Sequence, residues 1–275
     1  MRLEEKTAVI TGGGRGIGAA IALAFAREGA DVSVVSRTRP ELEQTADEIR
    51  AIGRRSLPIV ADVSAWQDMQ RMAELVEETF GRLDILVNCA AVQGPIGPTV
   101  DCDPQEWVDA ILINLAGTFL SCRAALPMMI RQGSGKIINF SGGGATSPRP
   151  RFSSYSSSKT AVVRLTETLA QEVADFNIQV NAIAPGAVNT RMLHEVLAAG
   201  DAAGDKALDG ARRQLATGGD DIARAAALAV FLASGESDGL SGRLISAIWD
   251  RWEEFPDRLQ EISMSDLYTL RRVTP

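Results

Sequence analysis

The 275-residue chain holds one histidine and three cysteines. One imidazole cannot form a Ser/His/Asp system without other help, so His194 reads as structural. Cys89, Cys102 and Cys122 cannot all pair with one another, and no Cys-x-x-Cys occurs. That argues against a disulfide framework and a structural zinc site, and no ligand cluster suggests a metal. A reducing cytoplasm is the simplest compartment for such cysteine usage. Cys89 and Cys122 sit in apolar surroundings and read as small core residues. Basic charge is short as well: 28 Lys and Arg against 35 Asp and Glu leave a net charge of −7. Binding nucleic acid through bulk charge is therefore disfavoured. Long apolar runs are missing, the stretch around residues 19–26 being too short for a bilayer. A strand-like run begins by Thr7, which leaves no room for a signal peptide. Neither nucleic acid nor membrane is expected as a partner.

What remains is an ordinary globular balance, 45% hydrophobic and 23% charged. There is no internal repeat and no low-complexity tract. Short β-branched runs recur at residues 7–11, 31–36, 57–61, 85–89, 136–141, 179–184 and 243–247. Helical patterns fill residues 16–27, 40–52, 66–80, 104–130, 153–176 and 221–233. Alternating strand and helix predict βαβ units and a mostly parallel sheet, with helices on both faces. Two regions break the rhythm. Residues 192–219, rich in Ala, Gly and charge, read as a mobile loop with one or two short helices. Residues 249–275 carry Trp249, Trp252, Phe255, Leu267 and Tyr268. These are too many large apolar groups for a loose tail, so residues 1–248 are expected to form the domain. The extension 249–275 is expected to pack on it or on a neighbouring subunit.

The first strand runs into Thr11-Gly12-Gly13-Gly14-Arg15-Gly16-Ile17-Gly18, and a helix opens at once. Glycines allow a tight turn and let a pyrophosphate approach the backbone. The helix N-terminus supplies free N–H groups and partial positive charge. Strand before and helix after make this a nucleotide-binding turn rather than a bare glycine string. The spacing Gly-x-x-x-Gly-x-Gly, with Thr in front and Ile inside, resembles the short-chain dehydrogenase/reductase family. The resemblance covers roughly residues 5–247 and implies an α/β, Rossmann-type doubly wound parallel sheet of about seven strands.

The resemblance implies a nicotinamide dinucleotide on Gly12, Gly14, Arg15, Gly16, Ile17 and Gly18. NAD enzymes usually end the second strand with an acid for the ribose 2′-hydroxyl. Here the stretch reads Val34-Val35-Ser36-Arg37, with no acid. Ser36 and Arg37, with Arg15 in the turn, suit a 2′-phosphate, so NADP(H) is preferred and NAD(H) is the alternative. Asp62 and Val63 match the family's adenine-contacting pair. Asn88 and Ala90 match its Asn-Asn-Ala-Gly, although Cys89 and Ala91 depart from it. After the sixth strand, Pro185, Gly186, Val188 and Thr190 match the turn that contacts the nicotinamide.

Tyr155 and Lys159 stand four residues apart on a predicted helix and so share one face. A free phenol ionises at a pKa of about 10, too high for easy proton exchange near neutrality. A neighbouring ammonium or an oxidised nicotinamide would lower it, giving a general acid for a ketone and a base for an alcohol. In the family, Tyr155 and Lys159 also hold the nicotinamide ribose, and Asn114 matches the helix-kinking asparagine that holds a water linked to the lysine. The serine departs from the pattern. The position thirteen residues before Tyr155 is Gly142, with Ser141 one place earlier. Ser141 could be brought into line by the glycine run, Thr146 or Ser153 could substitute, or glycine N–H groups could polarise the oxygen instead. The arginines 149, 151, 191, 212 and 213 are expected to rim the pocket and to favour an anionic substrate.

These residues imply an NADP(H)-dependent oxidoreductase interconverting a secondary alcohol and a ketone, with an anionic or sugar-like substrate. A reductase acting on 3-oxoacyl groups on an acidic carrier protein is an alternative, and so is a non-catalytic nucleotide sensor on the same fold. An epimerase or dehydratase of the longer branch fits the glycine spacing and length less well. The family usually assembles as a homodimer or homotetramer through its fourth and fifth long helices.

Overall fold

The computed structural model describes residues 1–272. Seven parallel strands form one sheet in the order β3-β2-β1-β4-β5-β6-β7. The strands are β1 Thr7–Thr11, β2 Asp31–Ser36, β3 Ser56–Val60, β4 Ile85–Asn88, β5 Gly135–Phe140, β6 Ile178–Ala184 and β7 Leu244–Ser246. β1 is buried along its whole length, as its β-branched composition and central position require. It pairs with β2 from Thr7 opposite Asp31 and with β4 from Ala8 opposite Ile85. The strand order reverses between β1 and β4, so a crevice opens at their carboxyl ends.

Helices cover both faces. α1 Gly16–Arg27, α2 Arg39–Ala51 and α9 Ile222–Ala233 share one core with Ile10, Val34 and Ile183. α3 Trp66–Phe80, α5 Gly117–Gln132 and α6 Ser153–Glu172 share the other with Val9, Leu86 and Val180. A smaller cluster joins Phe152 to α7 Arg191–Ala199 and α8 Asp205–Thr217. The region expected as a mobile loop is therefore two helices packed by Leu193, Val196 and Ala211.

The helix expected at residues 104–130 is longer and interrupted. α4 Pro104–Ile111 passes into α5 through a π-helical turn, Leu112–Ala116. Pro104–Gln132 together is long and apolar enough, by length and composition, to cross a membrane. Its polar residues are scattered, so no unbroken apolar run marks it in the sequence. In the fold, Asn114, Thr118 and Ser121 lie buried along it.

Beyond residue 248, Trp252, Phe255, Leu259, Ile262 and Tyr268 lie against the first core. Phe255 and Ile262 are fully buried there, Phe255 beside the Tyr268 ring at 4.9 Å. The Arg243 guanidinium donates to the carbonyls of Ser263, Ser265 and Leu267 at 3.1, 2.7 and 2.8 Å, and Leu244 N donates to Tyr268 O at 2.8 Å. The short edge strand β7 is thus covered by its own chain. Trp249, 84% exposed, takes no part. Phe255→Ala should destabilise the protein by about 3–5 kcal/mol and Trp249→Ala by less than about 0.5 kcal/mol, read by urea denaturation. Equal effects would contradict the packing.

Candidate active site

The glycine turn sits at the carboxyl end of β1, where the crevice opens. Gly12 N donates to Val35 O at 2.7 Å, and Thr11 Oγ1 accepts from Cys89 N at 3.2 Å and Ala90 N at 3.3 Å. The turn is therefore stitched to both neighbouring strands. Gly12 has a φ of +69°, and a Cβ there would stand 2.9 Å from the Ala90 backbone. A Cβ on Gly18 would run into the Gly12 carbonyl. Only glycine lets the turn fold this closely under the first turn of α1.

The groove beyond the turn is lined by Gly12, Gly14, Arg15, Gly16, Ile17 and Gly18, then by Ser36, Arg37, Asp62, Val63, Ala90 and Thr190. Each is a residue that the sequence motifs single out. Asn88, Tyr155, Lys159, Pro185, Gly186 and Val188 do not line it. Asn88 Nδ2 is turned beneath the groove, on Asn139 Oδ1 at 2.9 Å and Cys122 Sγ at 3.2 Å. Gly186 sits in a turn pinned by Asp220, whose carboxylate accepts from Ala187 N at 2.5 Å. Arg191, expected at the rim, lines it as well. The groove also takes in residues that the motifs did not mark: Thr38, Glu41, Cys89, Val92 and Ile113, with Met192 and Glu195 of α7.

The charges near β2 are arranged around this groove. Arg15 Nη1 lies 2.8 Å from Glu41 and Arg37 Nη1 lies 3.7 Å from Asp62. Burial would raise the Asp62 carboxyl, but hydrogen bonds from Ser64 and the Arg37 charge outweigh it and hold the group below its ordinary value. Ser36 ends β2 without an acid side chain. A glycine cradle with no room for Cβ atoms, a free helix N-terminus and two arginines fit a dinucleotide phosphate chain. A bound nicotinamide would supply the hydride.

Tyr155 and Lys159 stand on one face of α6, 8% and 2% exposed. Lys159 Nζ donates to Phe140 O at 2.8 Å, at the end of β5, and lies 5.7 Å from the Tyr155 ring centre. Ser141 Oγ donates back to Lys159 O at 3.4 Å. Ser141 is therefore turned onto the helix backbone. Gly142 faces the phenol instead: a Cβ on it would meet the Tyr155 hydroxyl and stand 3.1 Å from Cζ. The other two candidate hydroxyls are not brought in. Ser153 Oγ accepts from the Trp107 indole at 3.0 Å, and Thr146 is exposed. Asn114 lies in the π-turn; Oδ1 accepts from Val92 N at 2.8 Å, and Nδ2 donates to Val92 O at 2.9 Å and Ser158 Oγ at 3.1 Å. Its side chain ties the segment after β4 to α6.

Burial raises the Tyr155 phenol above its ordinary value, with Arg149 opposing and Cys89 reinforcing. The sequence reading expected a lowered phenol; here desolvation outweighs the neighbouring cations. Burial pulls Lys159 down to about 8. It also pushes the Cys89 thiol up to about 12, which makes it a poor nucleophile. Cys89, which lines the groove, acts electrostatically on both Tyr155 and Lys159. Of the arginines expected to rim the pocket, Arg151 donates to the Asp201 and Ala202 carbonyls, Arg191 pairs with Glu195 and Arg212 with Asp209.

The family model for short chain dehydrogenases matches residues 6–200. The chain belongs to the short-chain dehydrogenase family. It is 33% identical over 249 residues to a 3-oxoacyl-[acyl-carrier-protein] reductase, FabG, of Thermotoga maritima, covering 89% of this chain and 97% of that one. A crystal structure of NAD+-bound xylitol dehydrogenase matches with a TM-score of 0.83 and 27% identity, over 90% of this chain and 98% of that chain. A gluconate 5-dehydrogenase from Burkholderia cenocepacia J2315, in complex with NADP and tartrate, matches with a TM-score of 0.80 and 30% identity, over 89% and 94%. As a short-chain dehydrogenase, the chain is an NAD(P)-dependent oxidoreductase acting on a small molecule.

Lys159 gives a stability test. Its folded pKa, about 8, lies below the ordinary 10.5, so between these values the unfolded chain binds the extra proton. Stability should therefore rise with pH across that window, by at most about 1.4 kcal/mol per pH unit for this one group. Lys159→Met should flatten the rise, measured as urea midpoints at about pH 7.5, 9 and 10. An unchanged slope would show that the ammonium is not desolvated.

Proposed function

We propose that the protein is an NADP(H)-dependent oxidoreductase that interconverts a secondary alcohol and a ketone on a small, oxygen-rich substrate of the sugar or sugar-acid kind. The observation that carries this reading is the buried Tyr155–Lys159 pair on one face of α6, at the end of β5. In the reductive direction Tyr155 Oη gives its proton to the oxygen as the carbonyl carbon gains hydride. In the oxidative direction it takes that proton back. Lys159, fixed by the Phe140 carbonyl, stands 5.7 Å from the centre of the phenol ring and would hold the nicotinamide ribose. Asn114 holds Val92, on the groove wall, in register with α6. Val92 and Ile113 give the groove an apolar wall.

Ser36 and the exposed Arg37 side chain support NADP(H) over NAD(H), since nothing acidic ends β2 to repel a 2′-phosphate. The named substrates and ligands of the similar proteins, xylitol, gluconate and tartrate, support an oxygenated substrate. The FabG likeness keeps an acyl thioester as the second reading. Free cysteines support work in the cytoplasm. Exposed Val108, Leu112 and Phe119 along α4 and α5 support pairing with a second copy of the chain.

The test is NADPH consumption against diacetyl, D-fructose, 5-keto-D-gluconate and an acetoacetyl thioester. A keto-sugar or keto-acid should be turned over best, and Tyr155→Phe should lower kcat by about 100-fold or more. Turnover of the thioester alone would favour the second reading, and no turnover of any would oppose both. Wild-type kcat/KM should be higher with NADPH than with NADH, and Arg37→Glu should reduce that preference by about tenfold or more. A strong NADH preference in the unaltered protein would contradict the cofactor assignment.

A further inference from the structure

None of the three candidate hydroxyls, Ser141, Thr146 and Ser153, is brought opposite the phenol. A Cβ on Gly142 would collide with the Tyr155 hydroxyl, so the ring occupies volume that any larger residue at 142 would fill. Ser141 is committed to the Lys159 carbonyl and Ser153 to Trp107. A carbonyl reaching Tyr155 would therefore find one O–H donor there, where a developing negative oxygen is best held by two donors.

One further donor stands close by. The Arg149 guanidinium carbon lies 3.8 Å over the Phe152 ring centre and 5.9 Å from that of Tyr155. Its Nη1 is 3.9 Å from where a Cβ on Gly143 would be. It thus spans the glycine loop beside Gly142 and the ring of the phenol. Among the described residues no carboxylate comes within 4.0 Å of it, whereas Arg191 and Arg212 each pair with an acid. Stacking on Phe152 fixes the plane of the guanidinium and leaves its N–H edge free to donate. Burial lowers its pKa, and the field of Tyr155 works against that. The ionisable groups that Tyr155 faces are thus Arg149 from the loop, Lys159 from its own helix and Cys89 from the groove wall.

We propose that Arg149 is a catalytic residue that does the work of the missing hydroxyl, donating a guanidinium N–H to the substrate oxygen beside Tyr155. This rests on the reading of Tyr155 as the proton-handling group. As hydride joins the carbonyl carbon, the C=O π pair moves onto oxygen, and the O–H bond of Tyr155 breaks to protonate it. Arg149 holds the growing charge and keeps its own proton throughout, because a guanidinium does not deprotonate in this range. The arrangement also explains how glycine is tolerated at 142. A rigid two-pronged donor reaching from the loop replaces a hydroxyl reaching from the strand end.

The experiment compares wild type, Arg149→Met, Arg149→Gln and Tyr155→Phe, using NADPH and whichever of the four carbonyl compounds above the wild type reduces fastest. Circular dichroism and NADPH fluorescence titration accompany each variant, and dinucleotide affinity should be unchanged. Arg149→Met should lower kcat by about 100-fold with a much smaller change in KM. The alkaline limb of its kcat profile should move to higher pH, since the phenol loses a cation. Added guanidinium ion should restore part of the rate to Arg149→Met and none to Tyr155→Phe. Arg149→Gln, which keeps N–H donors without charge, should fall between and carries the test if Arg149→Met does not fold. Rates within about threefold of wild type for either variant, or a rate loss with no shift in the pH limb and no guanidinium rescue, overturn the inference. In that case a wild type that is active and fails on Tyr155→Phe leaves the oxidoreductase reading standing. A wild type inactive on every compound, or an unimpaired Tyr155→Phe, sinks that reading and this inference with it.

Discussion

The site depends on a clasp between the end of β5 and the first turns of α6. Lys159 donates to the Phe140 carbonyl, and Ser141 donates to the Lys159 carbonyl. A buried ammonium is costly unless it is hydrogen-bonded, so the Phe140 oxygen fixes where Lys159 can lie. The helix that carries Lys159 carries Tyr155 one turn earlier, on the same face. Fixing one side chain therefore fixes the other against Gly142. The phenol has little rotational choice left, which is what an acid or base needs if it is to meet a substrate oxygen at hydrogen-bond distance.

The sheet brings the groove to this clasp. β1 and β4 run side by side, and their carboxyl ends deliver the glycine turn and the Cys89–Val92 segment to the same level as the end of β5. Asn114 then fastens Val92 to α6 across the π-turn. A π-turn is costly in an isolated helix, and here three side-chain hydrogen bonds offset it. α7 lies over the turn, with Thr190 Cγ2 3.7 Å from where a Cβ on Gly16 would stand. The groove is thus a product of six separate chain segments, with no single motif enclosing it.

Legibility in the sequence followed the range of the forces involved. β1 and α1 come out at residues 7–11 and 16–27 as the pattern predicts, because burial on both faces and a glycine turn are local signals. The strand expected at 57–61 is shifted to Ser56–Val60, where pairing with β2 rather than composition sets the ends. The glycine turn, Ser36, Arg37 and Asp62 were readable because residues close in sequence build that half of the groove. The π-turn at Leu112–Ala116 was not readable, since it rests on bonds to Val92 and Ser158. Nor was the outcome at Ser141. Spacing flagged the serine as out of step, but only the fold shows that its hydroxyl turns onto the Lys159 carbonyl while Gly142 meets the ring. The rim arginines were visible as a group; which of them find partners within the chain is decided by α7 and α8.

The most direct measurement is a crystal structure of the protein with NADP+. The account predicts the pyrophosphate over the Gly12–Gly18 turn and the nicotinamide ring beside Tyr155. A carbonyl carbon about 3–3.5 Å from nicotinamide C4 would then bring its oxygen within hydrogen-bond reach of the phenol. A nicotinamide ring directed away from Tyr155, with the phenol still enclosed between Gly142 and α6, would contradict it.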